Sequence, residues 1–386
     1  MIICTVTAAN HLAFAKVLAK SAKAHVKGCK FVLCLMENEI HPEATGFDDV
    51  VLIKELGIPD FKRHIASKNI YELSGIIKPY LLQHAFDRYA NETKFVYMDA
   101  DSRIYGSFSK LDELLNRHNI LFTPHRAKPQ NHPDAAAEEL VNLKNGVFQV
   151  GFIALSKTAE SRRFLAWWSA RCRDHAVVDY NRGLFGDQKW LNLAPCFFKG
   201  VYILRDPAYH VASWNLSQRK LKRDSKGGLT VGGNPLVFFH FSGMGRWLDK
   251  SIELHASKNG NVQNLVNQYK QDLKDSGYDQ LIAIPWGYEK ILRHEANQPA
   301  AQLTFHPMVV HEPIINGFIQ EPNEEEDADE GEPIIEQGSE SLTLVPAESA
   351  ATSLLGKPSW KKRFLAPLWE KIKEFKTTLI QKLFPK

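Results

Sequence analysis

Residues 95–101 read Phe-Val-Tyr-Met-Asp-Ala-Asp, a short apolar and aromatic run that ends in two acidic residues. A run of this length and composition is typical of a buried strand. Further apolar runs occupy residues 2–6, 31–35, 50–53, 120–123, 147–155 and 236–241, and helical patterns occupy residues 12–26, 74–89 and 159–173. This alternation predicts an α/β fold built on an open, largely parallel sheet with flanking helices.

Two residues set expectations for where the helices begin. Asn10 stands just before the first helical pattern, where its side chain is expected to cap the helix. Pro79 lies in the second pattern, residues 74–89. Because proline has no backbone N–H, it is expected near the first turn of that helix or at a kink.

Polar residues follow three of the predicted strands, and open α/β sheets bind ligands outside the carboxyl ends of their strands. Thr7–Asn10 follow the first strand, Asp99–Asp101 follow residues 95–98, and His240–Gly243 follow the run at 236–239. These three places are the first candidates for a functional site.

Asp99 and Asp101 stand one residue apart, so their carboxylates can converge on one hard cation such as Mg²⁺ or Mn²⁺. A diphosphate bound to that ion would have its charge neutralised as it departs. His240 can supply a third, imidazole ligand, which suits Mn²⁺. The alternatives are a solvated turn or helix cap for the acidic pair and a core histidine for His240.

Two other segments carry candidate polar groups. Gly243 permits close approach of the backbone to a phosphate, and Arg246 offers it a positive fork. In residues 185–192, Asp187 can accept hydrogen bonds from sugar hydroxyls, and Gln188 offers a carbonyl oxygen. The alternative for Asp187 is capping of a helix.

Taken in this order, the motifs resemble those of retaining glycosyltransferases of the GT-A fold, family 8 type, which includes bacterial lipopolysaccharide enzymes and glycogenin-like enzymes. The resemblance covers roughly residues 1–250. The matching positions are Thr7–Asn10, Asp99–Asp101, Gln149–Gly151, Asp187–Gln188 and His240–Gly243 with Arg246 and Trp247. Residues 206–216, which include Asn215, also resemble a segment of bacterial glycosyltransferases that build surface polysaccharides.

The resemblance implies a GT-A fold and a nucleotide-diphosphate sugar donor, expected to be a UDP-sugar, held by Mn²⁺ or Mg²⁺. The implied metal ligands are Asp99, Asp101 and His240. The implied contacts with the nucleotide and its phosphates are Thr7, Asn10, Lys78, Asp99, Gly243 and Arg246, and those with the sugars are Gln149, Gly151, Asp187 and Asn215. Asp187 and Gln188 are the expected catalytic residues, with Gln188 near the anomeric carbon.

The sequence departs from the family pattern at three places. Gln149 stands where asparagine is usual, Arg246 replaces a usual lysine, and the segment after Trp247 lacks the family's proline. An arginine keeps the positive charge but has a wider fork of donors. The departure at Gln149 leaves a non-catalytic binding or scaffold protein of the same fold as the alternative function.

A phosphatase of the haloacid dehalogenase type also has Asp-x-Asp after an apolar strand. That family requires Thr or Val two residues beyond the second Asp, and this sequence has Arg103 there. We therefore disfavour a phosphatase. A nucleic-acid-binding protein is disfavoured too, because no basic and aromatic motif accompanies the positive charge.

Composition divides the 386-residue chain into unequal parts. Residues 1–257 form the expected transferase domain and residues 258–318 a helical or irregular extension. Residues 319–358 carry 11 acidic residues and one lysine and are expected to be a disordered linker. Residues 359–386 carry eight basic and two acidic residues with apolar residues at helical spacing, which predicts a basic amphipathic helix.

Such a helix suits an anionic membrane surface, with docking on the chain's own core or on a partner as the alternative. No run approaches the roughly 18 apolar residues of a membrane span, and no basic leader for secretion is apparent. Five cysteines without a CxxC pair favour a reducing compartment and no structural zinc. The expected location is therefore cytoplasmic and peripheral, on the inner face of the cell membrane, with a glycan or lipid-linked acceptor.

Overall fold

The computed structural model describes residues 1–129, 131 and 135–289. The predicted acidic linker at 319–358, the predicted amphipathic helix at 359–386 and the end of the 258–318 extension lie outside the described residues. Residues 260–275 and 278–281, at the start of that extension, are helical. The boundary expected at residue 257 stays a prediction.

Strands are numbered in chain order within the described ranges. They are β1 Ile2–Thr7, β2 Lys30–Leu35, β3 Asp49–Leu52, β4 Lys94–Met98, β5 Ser102–Ile104, β6 Ile120–Pro124, β7 Phe148–Ser156, β8 Val178–Asp179, β9 Leu184–Phe185, β10 Val201–Ile203, β11 Val211–Ala212, β12 Leu221–Arg223, β13 Leu229–Val231, β14 Asn234–Pro235 and β15 Phe238–His240.

The α-helices of the same ranges are α1 Leu12–His25, α2 Phe61–Ser67, α3 Ile70–Arg88, α4 Ser109–Leu115, α5 Ala135–Asn145, α6 Ala159–His175, α7 Ala194–Phe197, α8 Arg246–Ala256, α9 Gly260–Asp275 and α10 Tyr278–Leu281. Across these ranges, no helix combines the length and the apolar character needed to cross a bilayer.

The central sheet has seven strands in the order β10-β6-β7-β4-β1-β2-β3. Its pairs are parallel except those of β7, which runs antiparallel to both β4 and β6. The predicted mixed, largely parallel α/β sheet is therefore confirmed. Because β7 lies beside β4, its backbone reaches the end of the strand that precedes the acidic pair.

Helices cover both faces of this sheet. In β1, Ile2 and Cys4 belong to a core cluster with α3 and α6, whereas Ile3 packs with residues of α1 and α4. This alternation is the expected result of a strand whose successive side chains point to opposite faces. Since burial of one large aliphatic side chain contributes about 1.5–3 kcal/mol, these two layers hold the sheet rigid beneath the site.

A second, three-stranded sheet has the order β11-β15-β5. Its middle strand, β15, runs parallel to β11 and antiparallel to β5. The strand predicted at 236–241 is shorter than expected, and it belongs to this small sheet. The small sheet joins the chain just after residue 101 to the chain around residue 240.

Glu37 ties the exit of β1 to the last described segment of the chain. Its carboxylate accepts hydrogen bonds from the Ala9 N–H at 2.8 Å and from the Gly287 N–H at 2.6 Å. The neighbouring Trp286 donates its indole N–H to the Met36 carbonyl at 2.7 Å. Residues 286–288 are thereby fixed against the loop after β2.

The expectation that Asn10 caps the first helix was wrong, and so was the first-turn position expected for Pro79. Asn10 does not cap α1, because a 3₁₀ turn at Ala9–His11 lies between strand and helix, and α1 begins only at Leu12. Pro79 lies well inside α3 and not in its first turn, and the kink that was the other expectation for it stays a prediction. The helix begins earlier because the Asn69 side chain caps it, accepting from the Glu72 N–H at 2.9 Å.

Candidate functional site

Asp99 and Asp101 lie in the tight turn that connects β4 to β5. The Asp99 N–H donates to the Gly151 carbonyl of β7 at 3.0 Å, and the Ser102 N–H donates back to the Asp99 carbonyl at 3.1 Å. The turn thus follows directly from a buried strand and is bonded at both ends. It presents both carboxylates at the carboxyl edge of the central sheet.

The small sheet brings His240 to this turn. His240 pairs in register with Ser102, and the Phe241 N–H donates to the Asp101 carbonyl at 2.8 Å. His240 Nε2 lies 2.9 Å from Asp101 Oδ1 and 4.0 Å from Asp99 Oδ2. One ligand atom from each of Asp99, Asp101 and His240 lies within 4.8 Å of the other two, so the structure brings all three together.

Two observations indicate that Asp99, Asp101 and His240 are suited to bind a divalent cation. A Cβ atom added to Gly151 would come within 2.7 Å of both Asp99 Oδ2 and His240 Cε1, so only glycine leaves the cluster its space. Asp101 Oδ1 is buried and accepts no aligned hydrogen bond from the described residues, despite its closeness to His240. Two carboxylates and an imidazole form a donor set suited to Mn²⁺.

Lys78, on α3, joins the cluster to Asp187. Its Nζ lies 3.3 Å from Asp99 Oδ1 and 3.2 Å from Asp187 Oδ2. Burial alone would lower the pKa of Lys78, but the two carboxylates outweigh it and raise that pKa, so the amine is charged. The site therefore contains a buried ammonium between two acids.

The pKa values of the two acids shift in opposite directions, although burial raises both. Burial would raise the pKa of Asp99, but Lys78, His240 and a hydrogen bond from the Tyr97 hydroxyl at 2.8 Å bring it below its usual value. Burial raises the pKa of Asp187 in spite of Lys78. For His240, burial would lower the pKa, but the attraction of the two acids raises it. Asp99 is thus the more firmly ionised of the two acids that Lys78 contacts.

Asp187 and Gln188 lie in the loop after β9, and both are buried. A Cβ atom on Gly75 of α3 would be 3.2 Å from the Asp187 carboxyl carbon, so the helix passes close to this acid. Gln188 Oε1 accepts from the Val150 N–H at 3.2 Å and its Nε2 donates to the Asn145 carbonyl at 2.9 Å. The amide of Gln188 is therefore held in one plane beside β7.

The expected nucleoside residues lie at the carboxyl end of β1. Thr7 is its last residue, and the Thr7 carbonyl accepts from the Met36 N–H at 2.8 Å. Asn10 lies in the following 3₁₀ turn and its Oδ1 is 2.8 Å from His11 Nδ1. Both side chains are buried, at the same edge of the sheet as the acidic turn.

Gly243 and Arg246 lie between β15 and α8. Gly243 has a φ of +72°, which favours glycine, and its carbonyl accepts from the Leu248 N–H of α8 at 2.8 Å. Arg246 is the first residue of α8 and its side chain is exposed. The N-terminus of α8, which is the positive end of the helix dipole, therefore lies six residues after His240.

The side chains of Gln149 and Asn215 are engaged with backbone. Gln149 Oε1 accepts from the Gly151 N–H at 2.8 Å. Asn215 Nδ2 donates to the His210 carbonyl at 3.0 Å and its Oδ1 accepts from the Ala212 N–H at 3.0 Å. Asn215 is almost wholly buried, so this geometry favours a role in fixing the turn at 210–212.

Sequence reasoning missed three residues that line the site. His210 and Thr123 form a buried hydrogen-bonded chain with His240, and the Trp214 ring lies edge-on to the His240 ring at 5.4 Å. His210 and Trp214 fall inside the segment 206–216 that the resemblance singled out. Thr123 carried no signal, because it lies within an ordinary buried strand.

No family model matches the chain. It is similar to two uncharacterized proteins of Bacillus subtilis (strain 168), YfnD at 24% identity over 208 residues and YfnF at 26% over 176 residues. The matches cover 53% and 43% of this chain and only 64% and 55% of YfnD and YfnF. Among solved structures it is similar to the galactosyltransferase LgtC in complex with donor and acceptor sugar analogs and to an active-site mutant of LgtC. Each has a TM-score of 0.44 and 16% identity, and each match covers 75% of this chain and 99% of the other.

Proposed function

We propose that this chain is a metal-dependent glycosyltransferase that moves a sugar from a nucleotide-diphosphate donor, a UDP-sugar, to a glycan or lipid-linked acceptor. The observation that carries the proposal is the convergence of Asp99, Asp101 and His240 within 4.8 Å, over a glycine that leaves them room. This cluster lies at the carboxyl edge of the sheet, where open α/β folds bind their ligands.

Asp99, Asp101 and His240 would hold the cation, and the imidazole favours Mn²⁺ over Mg²⁺. When bound there, the cation would neutralise the negative charge that develops on the departing diphosphate. The nearby ammonium of Lys78 adds fixed positive charge on the α3 side of the same carboxylate, at 3.3 Å from Asp99. Fixed charges in a buried site stabilise developing charge without reorganisation.

Asp187 and Gln188 would act on the sugar. The Asp187 carboxylate would accept hydrogen bonds from donor hydroxyls, and Lys78 at 3.2 Å favours its charged form. Gln188 Oε1 would face the positive charge that develops at the anomeric carbon. Because an amide is a weak nucleophile, we favour a short-lived oxocarbenium ion attacked on the leaving-group side, with the departing phosphate taking the acceptor proton, which gives retention.

The remaining candidate contacts follow the edge of the sheet. Thr7 and Asn10, at the end of β1, would bind the nucleoside. Gly243 and Arg246, at the start of α8, would bind the diphosphate, since a helix N-terminus attracts anions. Gln149 and Gly151, on β7, would lie beside the transferred sugar. We assign Asn215 to the support of the turn at 210–212 in place of substrate contact.

The test is release of UDP from a panel of UDP-sugars by the full-length chain, with Mn²⁺ or with EDTA. Asp101→Asn should abolish Mn²⁺-dependent release, because it removes a charged ligand. Asp249→Asn is the matched control, since the Asp249 side chain is exposed on α8 and pairs with Lys270. Near wild-type release by Asp101→Asn would contradict the proposal.

The same panel separates the alternative function. A UDP-sugar that raises the melting temperature only with Mn²⁺, but is never turned over, would indicate a non-catalytic binding protein. Turnover of any member of the panel excludes that alternative.

We further propose that residues 359–386 place the enzyme on an anionic membrane surface near a lipid-linked acceptor, in surface-polysaccharide or lipopolysaccharide synthesis. The support is the segregation of eight basic residues and an apolar helical pattern behind an acidic stretch. Deleting residues 359–386 should abolish co-sedimentation with vesicles that contain anionic lipid. Unchanged co-sedimentation would contradict the membrane role and leave the transferase proposal intact.

A further inference from the structure

Behind the proposed metal ligand His240 lies a buried chain of polar groups. His240 Nδ1 is 2.9 Å from His210 Nε2, and His210 Nδ1 is 2.6 Å from Thr123 Oγ1. The three side chains are between 0% and 2% exposed. These hydrogen bonds lead from Thr123 in β6, through His210, to His240 Nδ1, the ring nitrogen that faces away from the acidic turn.

We propose that His210 is a positioning residue that fixes the orientation and tautomer of His240 for a divalent cation, with Thr123 fixing His210 in turn. The inference rests on the metal site of the proposed function. It assigns to His210 and Thr123 a role that the resemblance did not give them.

The tautomers follow from the valence of the ring nitrogens. Two imidazole nitrogens 2.9 Å apart share one proton, so one ring donates and the other accepts. A cation at His240 Nε2 needs the lone pair there, which places the proton of His240 on Nδ1. His210 Nε2 must then accept, and His210 Nδ1–H donates to the Thr123 hydroxyl. Every ring nitrogen in the chain is satisfied by this arrangement.

Without a cation, the hydrogen bond between His210 and His240 can run in the opposite direction. If His210 Nε2–H donates, His240 accepts at Nδ1 and carries its proton on Nε2, which lies 2.9 Å from Asp101 Oδ1. The Thr123 hydroxyl then donates to His210 Nδ1. A hydroxyl can donate or accept, so Thr123 permits both arrangements without moving its neighbours.

The backbone conformation of His210 and the hydrogen bonds to its carbonyl fix the position of its ring. Its φ of +54° is uncommon for a residue with a side chain and costs free energy that the surroundings must offset. Its carbonyl accepts from Asn215 Nδ2 at 3.0 Å and from Arg219 Nη1 at 3.0 Å, and Arg219 is itself 1% exposed. Two donors therefore hold one strained carbonyl, which aims the His210 ring at His240.

Aromatic rings exclude other partners from the His210–His240 pair. The centroids of the two hydrogen-bonded imidazoles lie 5.2 Å apart with their planes 29° from parallel, the Phe238 ring lies 5.1 Å from the His210 ring, and Trp214 lies edge-on to both imidazoles. In such apolar surroundings, a buried N–H group that loses its acceptor costs free energy, because no water or other polar group can take the acceptor's place. Without His210, the Nδ1–H of His240 would remain unpaired.

The test measures Mn²⁺ binding by the full-length chain without any nucleotide, through the electron paramagnetic resonance signal of free Mn²⁺. His210→Leu should weaken Mn²⁺ binding by about 10–100-fold, the usual loss when the partner of a metal-bound histidine is removed. His210→Gln should restore most of the affinity, because its amide oxygen can accept from His240. The visible absorption of bound Co²⁺ should lose intensity in His210→Leu, which reports the displaced imidazole.

His64→Leu is the matched control. His64 is also a buried histidine, 3% exposed on α2, and its Nε2 has no hydrogen-bond partner within the described residues. It should lower stability and leave Mn²⁺ affinity unchanged. If His210→Leu does not fold, Thr123→Val takes its place, with a smaller loss of affinity expected.

Wild-type Mn²⁺ affinity in a folded His210→Leu or Thr123→Val variant would overturn this inference and leave the proposed metal site standing. A wild-type chain that takes up no Mn²⁺ would overturn both. A loss of affinity in His210→Leu that His210→Gln does not recover would indicate a packing role and overturn the tautomer argument.

Discussion

The backbone of Gly151 passes so close to the carboxylate of Asp99 that a Cβ atom at position 151 would lie 2.7 Å from Asp99 Oδ2. The same atom would collide with the ring of His240. Gly151 thus sets the size of the space in which the acidic turn and the histidine meet.

Gly151→Ala should weaken Mn²⁺ binding by at least about tenfold and reduce the free energy of unfolding by about 1–3 kcal/mol, because a buried methyl group must displace a neighbour. Isothermal titration with Mn²⁺ and urea unfolding measure the two effects. Gly260→Ala is the control, since a Cβ atom there meets nothing within 4 Å. Unchanged Mn²⁺ binding in Gly151→Ala would contradict the crowding argument.

Lys78→Met should lower the free energy of unfolding by about 3–5 kcal/mol, because it leaves the buried Asp187 and the partly buried Asp99 without the ammonium of Lys78. Adding Asp187→Asn should restore part of the loss. Mn²⁺ should stabilise Lys78→Met more than the wild type, since a metal can compensate Asp99. The control Lys270→Met breaks an exposed ion pair and should cost less than about 1 kcal/mol in urea unfolding. Additive losses in the double variant would refute the coupling.

Gln188→Ala should lower kcat by about 100-fold, the scale of a lost electrostatic contact in the transition state, while the Kd for UDP stays nearly the same. It should also cost about 1–2 kcal/mol of stability, because the amide bonds two backbone groups. Asn192→Ala is the control: its side chain accepts from the Val147 N–H at 3.0 Å, but it has no proposed contact with the sugar. Lost UDP affinity in Gln188→Ala would contradict the assigned role.

His125 should make the fold sensitive to mild acid. Burial lowers the pKa of His125 from 6.5 to about 4, so the folded state keeps it neutral while the unfolded chain takes up a proton. Its contribution to stability is therefore present above pH 6.5 and lost as the pH falls from 6.5 toward 4, by on the order of 3 kcal/mol.

Urea unfolding of His125→Asn at pH 7.5 and pH 4.5 should show a smaller difference between the two pH values than the wild type shows. His175→Asn is the control, since His175 is exposed on α6. An equal difference in His125→Asn and wild type would refute the assignment.

Local patterns were enough to predict most of the central sheet. The apolar runs that became β1, β2, β4, β6 and β7 are each within about one residue of their observed bounds, because buried strands read as continuous apolar stretches. The helix cap expected at Asn10 and the first-turn position expected for Pro79 were wrong for local reasons. A short 3₁₀ turn delays α1, and the cap at Asn69 starts α3 ahead of the apolar pattern used to place it.

The assembly of the site depends on the pairing of two strands that are far apart in the sequence, and no local pattern predicts that pairing. Asp99 and Asp101 were evident from the strand before them, and His240 was a candidate third ligand because it follows another strand, but a core histidine was the alternative until the resemblance was considered. The structure explains the meeting through β5 and β15, strands of three residues each whose register places Ser102 opposite His240. His210 was invisible as a partner because its role depends on a left-handed backbone and on Thr123, 87 positions away.

The two hydrogen bonds that the Glu37 carboxylate accepts, from Ala9 and from Gly287, have a consequence for the synthesis of the protein. A ribosome adds about 5–20 residues per second, so Gly287 emerges on the order of 15–55 seconds after Ala9. Until then the carboxylate lacks one of its two donors, and the loop after the first strand is closed on one side only. A nascent chain stalled before residue 287 would therefore expose this loop to chaperones and proteases, and the completed chain would not.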